Sequence, residues 1–176
     1  METLKAIESR KSTRGFKPDQ IPEAALEAIL KAGVEAPVGR AAFGNIHFAV
    51  VQDAALLKKI SDAATKGTER EGQDIYYGAP TVIVVSSKEQ SVPELTFSNA
   101  GAISGNFLLA ATDIGVDNVY VFSCLRGFRN DPGLSAEAGI PEGYTPISSV
   151  ALGYATEADA AVPKPPRDIP VSRKGS

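Results

Sequence analysis

The amino-acid sequence predicts a single domain in which helices pack on a mixed β-sheet. Two observations lead to this prediction. Helical patterns open the chain, and short apolar strand patterns then alternate with further helical patterns. The 176 residues are also enough for one well-filled core, and no repeat or low-complexity linker divides them. We expect the domain to cover residues 1–170 and residues 171–176 to form a solvated tail.

The helical segments are recognised by apolar residues spaced at helical periodicity. Pro22 suits the first turn of the second helix, and Gly33 suits its end. Gly115 is expected to stop the longest helix. The predicted helices cover residues 2–9, 21–33, 54–67 and 97–115.

The strand segments are short and apolar. Residues 79–87 are β-branched and lack polar alternation, which is typical of a strand that is buried on both faces. Residues 159–170 are rich in proline and are predicted to be extended. The predicted strands cover residues 45–51, 79–87, 118–124 and 147–154.

Composition excludes several classes of protein. A net charge of −3 argues against nucleic acid or an anionic membrane as the main partner. No apolar run resembles a signal peptide or is long enough to span a bilayer. Cys124 is the only cysteine, so neither a disulfide framework within the chain nor a thiol pair is predicted. These features favour a cytoplasmic setting.

Familiar catalytic motifs are missing from the sequence. There is no G-x-G-x-x-G after a strand, no Walker motif and no G-x-S-x-G elbow. His47 is the only histidine and has no neighbours at metal-ligand spacing, so we predict a structural role for it and no metal site. Cys124 has no evident base beside it, and a buried, inert thiol is expected.

A cationic cluster stands in the early stretch "IESRKSTRGF". It places Arg10, Lys11 and Arg14 around the hydroxyls of Ser12 and Thr13. Guanidinium, ammonium and hydroxyl groups bind phosphate through charge-assisted hydrogen bonds. A solvated helix end, with cations near the negative end of the helix dipole, gives the same pattern. Composition alone favours the solvated end, since charge clusters usually lie on the surface.

A second cationic group, Lys164 and Arg167, stands in "PKPPR" near the end of the chain. The prolines stiffen this segment, which can hold an arginine in place. A linker with surface charges has the same composition. The pair by itself therefore leaves both interpretations open.

The order of these segments resembles the flavin-dependent nitroreductase family over nearly the whole chain. The resemblance rests on "SRKSTRGF", "APVG", "YGAPTVIVV", "AGAISGNFLLAATDIGV", "IPEGYTPISSVALGY" and "PKPPR", in that order. It implies an α+β fold with a mainly antiparallel sheet flanked by helices, an intertwined homodimer, and FMN at the dimer interface. It also implies that two electrons pass from NADH or NADPH through the flavin to nitroaromatics, quinones or other small acceptors, with ping-pong kinetics.

The resemblance also implies the residues that bind the cofactor. Arg10 and Ser12 match phosphate ligands, and Arg14 matches the cation at the flavin N1/O2 edge, which is the one predicted catalytic residue. The loop at Pro37 matches one that lines the isoalloxazine, and Gly127 belongs to a match for the loop that points a backbone N–H at N5. The two late cations match groups that close on the phosphate or the ribityl chain. The full implied set is Arg10, Lys11, Ser12, Arg14, Pro37, Val38, Gly39, Arg126, Gly127, Lys164 and Arg167.

The chain departs from the family pattern in three places. The serines, Asn-x-Gln and Pro-Trp that often follow the proline loop are missing after Gly39. Arg126 stands where many members carry an acidic residue or glycine, and the segment 66–76 is brief, which predicts a reduced substrate lid. A non-catalytic or specialised protein of the same fold that binds flavin or another phosphorylated ligand is the alternative function. A dimeric scaffold without cofactor is a further one.

Overall fold

The computed structural model describes residues 2–175, so Met1 and Ser176 lie outside the described residues. Two short 3-10 turns, Gly39–Ala41 and Phe43–Asn45, precede the first strand. The helices are α1 (Thr3–Ser9), α2 (Glu23–Val34), α3 (Ala54–Thr65), α4 (Glu94–Asp113), α5 (Cys124–Asn130), α6 (Gly133–Glu137) and α7 (Glu157–Ala160). The strands are β1 (Ile46–Val51), β2 (Thr81–Ser87), β3 (Asp117–Val121) and β4 (Thr145–Gly153).

The four strands form one sheet in the order β1-β2-β4-β3, and every neighbouring pair is antiparallel. In the centre of the sheet Ile83 pairs with Val150, and Val84 pairs with Ser149. The register shifts between Val85 and Ser86, which marks a local irregularity in β2. The expected α+β architecture with a mainly antiparallel sheet is confirmed, and within the described residues the sheet is wholly antiparallel rather than mixed.

Helices cover both faces of this sheet and create two apolar cores. Ile60 of α3 and Phe128 of α5 belong to the core on one face, together with Val84. Phe107 of α4 belongs to the core on the other face, together with Ile83. Successive residues of β2 therefore enter opposite cores, and both faces of that strand are apolar. This is why β2 shows no polar alternation in the sequence.

The packing of α2 on α4 corrects the role assigned to Gly33. The helix continues past Gly33 to Val34, so this glycine does not end it. A Cβ at Gly33 would lie 2.0 Å from the Phe107 Cε1 atom. The residue is a glycine because the Phe107 ring lies directly against the backbone of α2.

The end of α4 confirms the role predicted for Gly115. Its φ of +79° is left-handed, a conformation that glycine adopts without strain. Its N–H donates to the Thr112 carbonyl at 3.2 Å, and the Val116 N–H donates to the Ala111 carbonyl at 2.8 Å. These two hydrogen bonds form a Schellman motif, which satisfies the last carbonyls of the helix. At its other end the helix begins at Glu94 rather than at residue 97.

The strand predicted over residues 118–124 is wrong at its C-terminal end. β3 stops at Val121, and Cys124 begins α5. Gly127 lies within α5, where a Cβ would be 2.6 Å from the Ile60 carbonyl oxygen of α3. A helix this close to α3 needs a glycine at the contact. Cys124 is fully buried, as expected.

The chain after α7 has no regular secondary structure up to residue 175, and residues 171–175 are exposed. Ser176, the last residue of the predicted tail, lies outside the described part of the chain, and the domain boundary at residue 170 stays a prediction. No helix within residues 2–175 has the length and the hydropathy that crossing a bilayer requires. The same residues contain no group of three or more His, Cys, Asp or Glu side chains that could hold a metal ion.

Candidate functional site

The structure brings cations from opposite ends of the sequence to one surface cavity, although Arg10 of the early cluster is not among its lining residues. The cavity has a volume of about 300 Å³. One wall comes from the segment after α1 and the other from the segment after α7. The lining residues are Lys11, Ser12, Arg14, Asp159, Val162, Pro163, Lys164, Pro165 and Arg167.

Backbone hydrogen bonds fix the first wall beside the end of the sheet. The Thr13 N–H donates to the Asn118 carbonyl at 3.0 Å, and the Lys17 N–H donates to the Tyr154 carbonyl at 2.8 Å. The Thr156 N–H donates to the Gly15 carbonyl at 2.9 Å. The segment 13–17 is thereby held between β3, the end of β4 and the start of α7. Its position depends on the tertiary fold.

Arg10 and Arg167 lie close enough for their like charges to interact. The pKa of Arg10 is lowered, first by its partial burial and second by the positive charge of Arg167. The ion pairs Lys58–Asp62 and Lys59–Glu137 involve other residues, and neither guanidinium has an ion-pair partner within the described residues. Two adjacent cations without a counterion repel each other, and a bound anion would relieve that repulsion.

Two lining residues keep groups available for a ligand. Arg14 is exposed, and its guanidinium makes one hydrogen bond within the described chain, from Nη1 to the Ser12 carbonyl at 3.4 Å. The half-buried Ser12 has no hydrogen bond from its hydroxyl among residues 2–175. Charged N–H donors and a free hydroxyl together are suited to binding a phosphate.

The two lysines of the cavity are bonded to the backbone. Lys11 Nζ donates to the carbonyls of Asp159 at 2.6 Å, Ala160 at 3.0 Å and Val162 at 3.0 Å. Lys164 Nζ donates to the Ile7 carbonyl at 3.2 Å and the Glu8 carbonyl at 2.5 Å. Both ammonium groups add positive charge to the cavity, but most of their donors are already engaged.

Asp159 is a lining residue that the sequence analysis missed. Its Oδ1 accepts from the Arg14 backbone N–H at 3.0 Å, while its Oδ2 is buried and lacks a partner within the described chain. The Thr156 hydroxyl accepts from the Asp159 N–H at 3.3 Å, a helix cap that the spacing T-x-x-D indicates. That local signal says nothing about the contact with Arg14, which only the fold creates.

The proline loop lies against the first half of α4 and not in the cavity. The Gly39 N–H donates to Asn99 Oδ1 at 2.8 Å, and the Asn99 Nδ2 is buried without a partner among the described residues. The two following residues, Arg40 and Ala41, have positive φ values of 60° and 50°. None of Pro37, Val38 and Gly39 lines the cationic cavity within one chain.

Arg126 and Gly127 also lie away from the cationic cavity. Arg126 Nη2 donates to the Lys66 carbonyl at 3.1 Å, and Gly127 is buried against α3. The segment around them is helical, whereas the family resemblance implied a loop. Within one chain the structure therefore does not bring the three groups of predicted cofactor residues together.

Apolar side chains are exposed on α1, on α4 and in the segment between β3 and α5. Phe97 is 52% exposed and Phe122 is 50% exposed, and their ring centroids are 6.2 Å apart. Leu4 of α1 is 73% exposed. A Cβ at Gly101 or Gly105 would meet nothing within 4 Å, so the small side of α4 is open. Exposed aromatic and apolar side chains around an open helix face mark an interaction surface.

Comparison with known proteins agrees with the architecture. The nitroreductase family model matches residues 7–154. A protein of Archaeoglobus fulgidus, provisionally named an NADH dehydrogenase/NAD(P)H nitroreductase, is 34% identical over 87% of this chain and 85% of its own length. A relative from Methanothermobacter thermautotrophicus with the same provisional name is 29% identical over 89% of this chain and 79% of its own length.

Solved structures are similar over the full chain. A Bacteroides fragilis nitroreductase with bound FMN superimposes with a TM-score of 0.86 and 27% identity, covering 99% of this chain and 100% of that one. A Desulfitobacterium hafniense nitroreductase with bound FMN has a TM-score of 0.84 and 28% identity, covering 99% of both chains. The chain belongs to the nitroreductase family, and it is an oxidoreductase.

Proposed function

We propose that this protein binds FMN and uses it to pass two electrons from NADH or NADPH to a small acceptor. The observation that carries the proposal is the cavity lined by Ser12, Arg14 and Arg167, whose positive charge is increased by Arg10, which interacts electrostatically with Arg167. A phosphate monoester is a compact anion that suits such a cavity. The FMN bound in the two solved structures described above carries such a group.

The rest of the cavity fits the other polar part of FMN. Lys11 and Lys164 contribute positive charge to the phosphate end. Asp159 Oδ2 is a buried acceptor without a partner in the described chain, and a ribityl hydroxyl is a donor that would satisfy it. Arg10, Ser12 and Arg167 are accordingly the proposed phosphate ligands.

Arg14 is the proposed catalytic residue. When bound, FMN supplies the redox chemistry, and the protein binds, orients and tunes it. The Arg14 backbone is held by Asp159, while most of its guanidinium stays free to face the flavin N1/O2 edge. A positive charge fixed there would stabilise the negative charge that develops on reduction.

The remaining cofactor residues are proposed to act across a homodimer. Pro37, Val38, Gly39, Arg126 and Gly127 do not line the cavity of their own chain. The exposed apolar side chains of α1 and α4, with the open small-residue face of α4, are a suitable surface for a second copy. In such a dimer the proline loop and the backbone near Gly127 would be the residues of the second chain that hold the isoalloxazine.

This function requires no acid–base pair, which agrees with the absence of catalytic motifs from the sequence. Use of one shared site by the donor and then by the acceptor would produce ping-pong kinetics. Nitroaromatics and quinones are the proposed acceptor classes. The brief segment 66–76 leaves little chain for a lid over this site.

The visible absorption spectrum tests the proposal. We expect flavin bands that bleach on anaerobic addition of NADH or NADPH and return with a quinone or a nitroaromatic. Parallel lines in double-reciprocal plots would support the ping-pong order. Flavin bands that persist with both donors would instead favour a non-catalytic or specialised flavoprotein. If no flavin bands appear even after incubation with FMN, the proposed cofactor is wrong.

A further inference from the structure

Lys11 and Lys164 each bind carbonyls at the end of the helix that precedes the other lysine. Lys11 follows α1 and binds the carbonyls of Asp159, Ala160 and Val162 at the end of α7, at 2.6, 3.0 and 3.0 Å. Lys164 follows α7 and binds the carbonyls of Ile7 and Glu8 at the end of α1, at 3.2 and 2.5 Å. Each lysine therefore ties the segment that carries it to the other helix.

These bonds supply what the two helices lack. The last carbonyls of a helix have no partner within it and form the negative end of its dipole. α1 has 7 residues and α7 has 4, and neither has a basic residue in its last turn. Helices this short are unstable in isolation. A cation from the other segment satisfies the carbonyls and joins the two helix ends.

The tied segments also carry the two repelling arginines. Arg10 is the C-cap residue of α1, directly before Lys11, and Arg167 follows Lys164 in the same proline-rich segment. The repulsion between their charges, which contributes to the lowered pKa of Arg10, drives these segments apart. The lysine-to-carbonyl bonds oppose that separation.

We propose that Lys11 and Lys164 are positioning residues, which hold the segment of Arg10 against the segment of Arg167 and do not themselves donate to the phosphate. All three Nζ hydrogens of Lys11 are used by carbonyls, which leaves it no donor for a ligand. Lys164 has two of its three donors engaged in the same way. The proposal refines the role of these residues and rests on the proposed FMN site.

A double-mutant cycle separates positioning from direct binding. FMN is titrated into the cofactor-free protein by flavin fluorescence for the parent, Lys164→Met, Arg167→Met and the double variant. We expect Lys164→Met to weaken FMN binding by about 10-fold in the parent and by less than about 2-fold when Arg167 is already replaced, because coupled residues are not additive. An equal loss in both backgrounds would show direct binding and overturn the proposal.

Lys5→Met is the matched charge control. Lys5 lies on α1, is exposed, and makes no hydrogen bond or ion pair through its side chain among the described residues. This substitution removes one positive charge near the end of α1 that Lys164 caps, and it leaves the cap in place. We expect FMN affinity within about 2-fold of the parent, since exposed charges contribute little. A loss of FMN affinity as large as that of Lys164→Met would show that net charge causes the effect, and it would contradict the positioning role.

Hydrogen exchange in the cofactor-free protein tests the lysine-to-carbonyl bonds independently of FMN binding. The Arg10 N–H donates to the Ala6 carbonyl at 3.0 Å at the end of α1. In the cofactor-free protein we expect hydrogen exchange of this amide to be at least about 5-fold faster in Lys164→Met than in the parent, because frayed helix ends exchange readily. Unchanged exchange would show that Lys164 does not stabilise the end of α1 and would overturn the proposal. If the parent binds no FMN, the proposed function fails. The exchange result still decides whether Lys164 holds the end of α1.

Discussion

The positive charges of Arg10 and Arg167 interact, although one residue follows the first helix and the other lies near the end of the chain. Neither has an acidic partner within residues 2–175. Two interacting guanidiniums without a counterion are unfavourable unless a ligand or the fold compensates. The relationship between these two residues is the strongest structural argument for an anion site.

Replacing Arg10 with methionine should weaken FMN binding by about 10- to 100-fold, which corresponds to the loss of one charge-assisted hydrogen bond. Riboflavin lacks the phosphate, so its affinity should change little in the same variant. Both affinities can be measured by fluorescence titration of the cofactor-free protein. Equal losses for FMN and riboflavin would argue against Arg10 as a phosphate ligand.

Replacing Arg14 with alanine should slow flavin reduction more than it weakens FMN retention. Loss of a preorganised charge at the developing anion costs about 2–4 kcal/mol in the transition state. Anaerobic stopped-flow reduction of the FMN-loaded variant by NADH and NADPH measures this directly. If the loaded variant is reduced at the parental rate, Arg14 does not have the proposed role.

Replacing Phe97 with glutamate should convert the proposed homodimer into monomers and release FMN. The half-exposed ring is one of the apolar side chains exposed on α1 and α4, and a buried carboxylate there would lack a partner. Light scattering and the visible spectrum report the two effects. Val50→Glu, at another partly exposed apolar residue on β1, is the control and should stay dimeric. A dimeric Phe97→Glu protein would place the interface elsewhere.

Replacing Gly33 with alanine should destabilise the fold by about 1–3 kcal/mol, the usual cost of overpacking. The new methyl group would lie 2.0 Å from Phe107 Cε1, so the ring or the helix must move. Gly44→Ala is the control, because a Cβ there meets nothing within 4 Å. Urea unfolding measures both. A Gly33→Ala protein as stable as the control would mean that Phe107 moves at no cost.

Cys124 should resist alkylation in the native state. Burial raises the pKa of its thiol to about 12, so the reactive thiolate is scarce at pH 8. Since the folded pKa lies above the value of 9.0 for an ordinary thiol, the contribution of Cys124 to stability is present below pH 9 and is lost as pH rises towards about 12. Iodoacetamide labelling with and without urea is the measurement. Rapid labelling of the native protein at pH 8 would show that the thiol is accessible.

Local sequence patterns predicted most of the helices and strands. Gly115 is a clear example, because a glycine after a periodic apolar segment is typical of a helix end, and the Schellman hydrogen bonds confirm it. The pattern did not reveal why Gly33 and Gly127 are glycines. Both are glycines because another element lies against the backbone, and such a contact leaves no periodic signal.

The cavity was only partly predictable for the same reason. The sequence indicated the residues around Arg10 and Lys164 as cationic groups, and the resemblance joined them to one ligand. It could not show that both lysines bind helix carbonyls or that Asp159 faces Arg14. These contacts join residues near opposite ends of the chain.

By itself, the sequence determined the alternation of elements, the strand buried on both faces, and the residue types that can hold a phosphate. Local propensity and hydrophobic periodicity are properties of neighbouring residues, so they can be recognised without a structure. Only the tertiary structure decided which cations keep free donors and which cap a helix. That choice depends on which carbonyls and charges the antiparallel sheet brings within hydrogen-bond distance of each side chain.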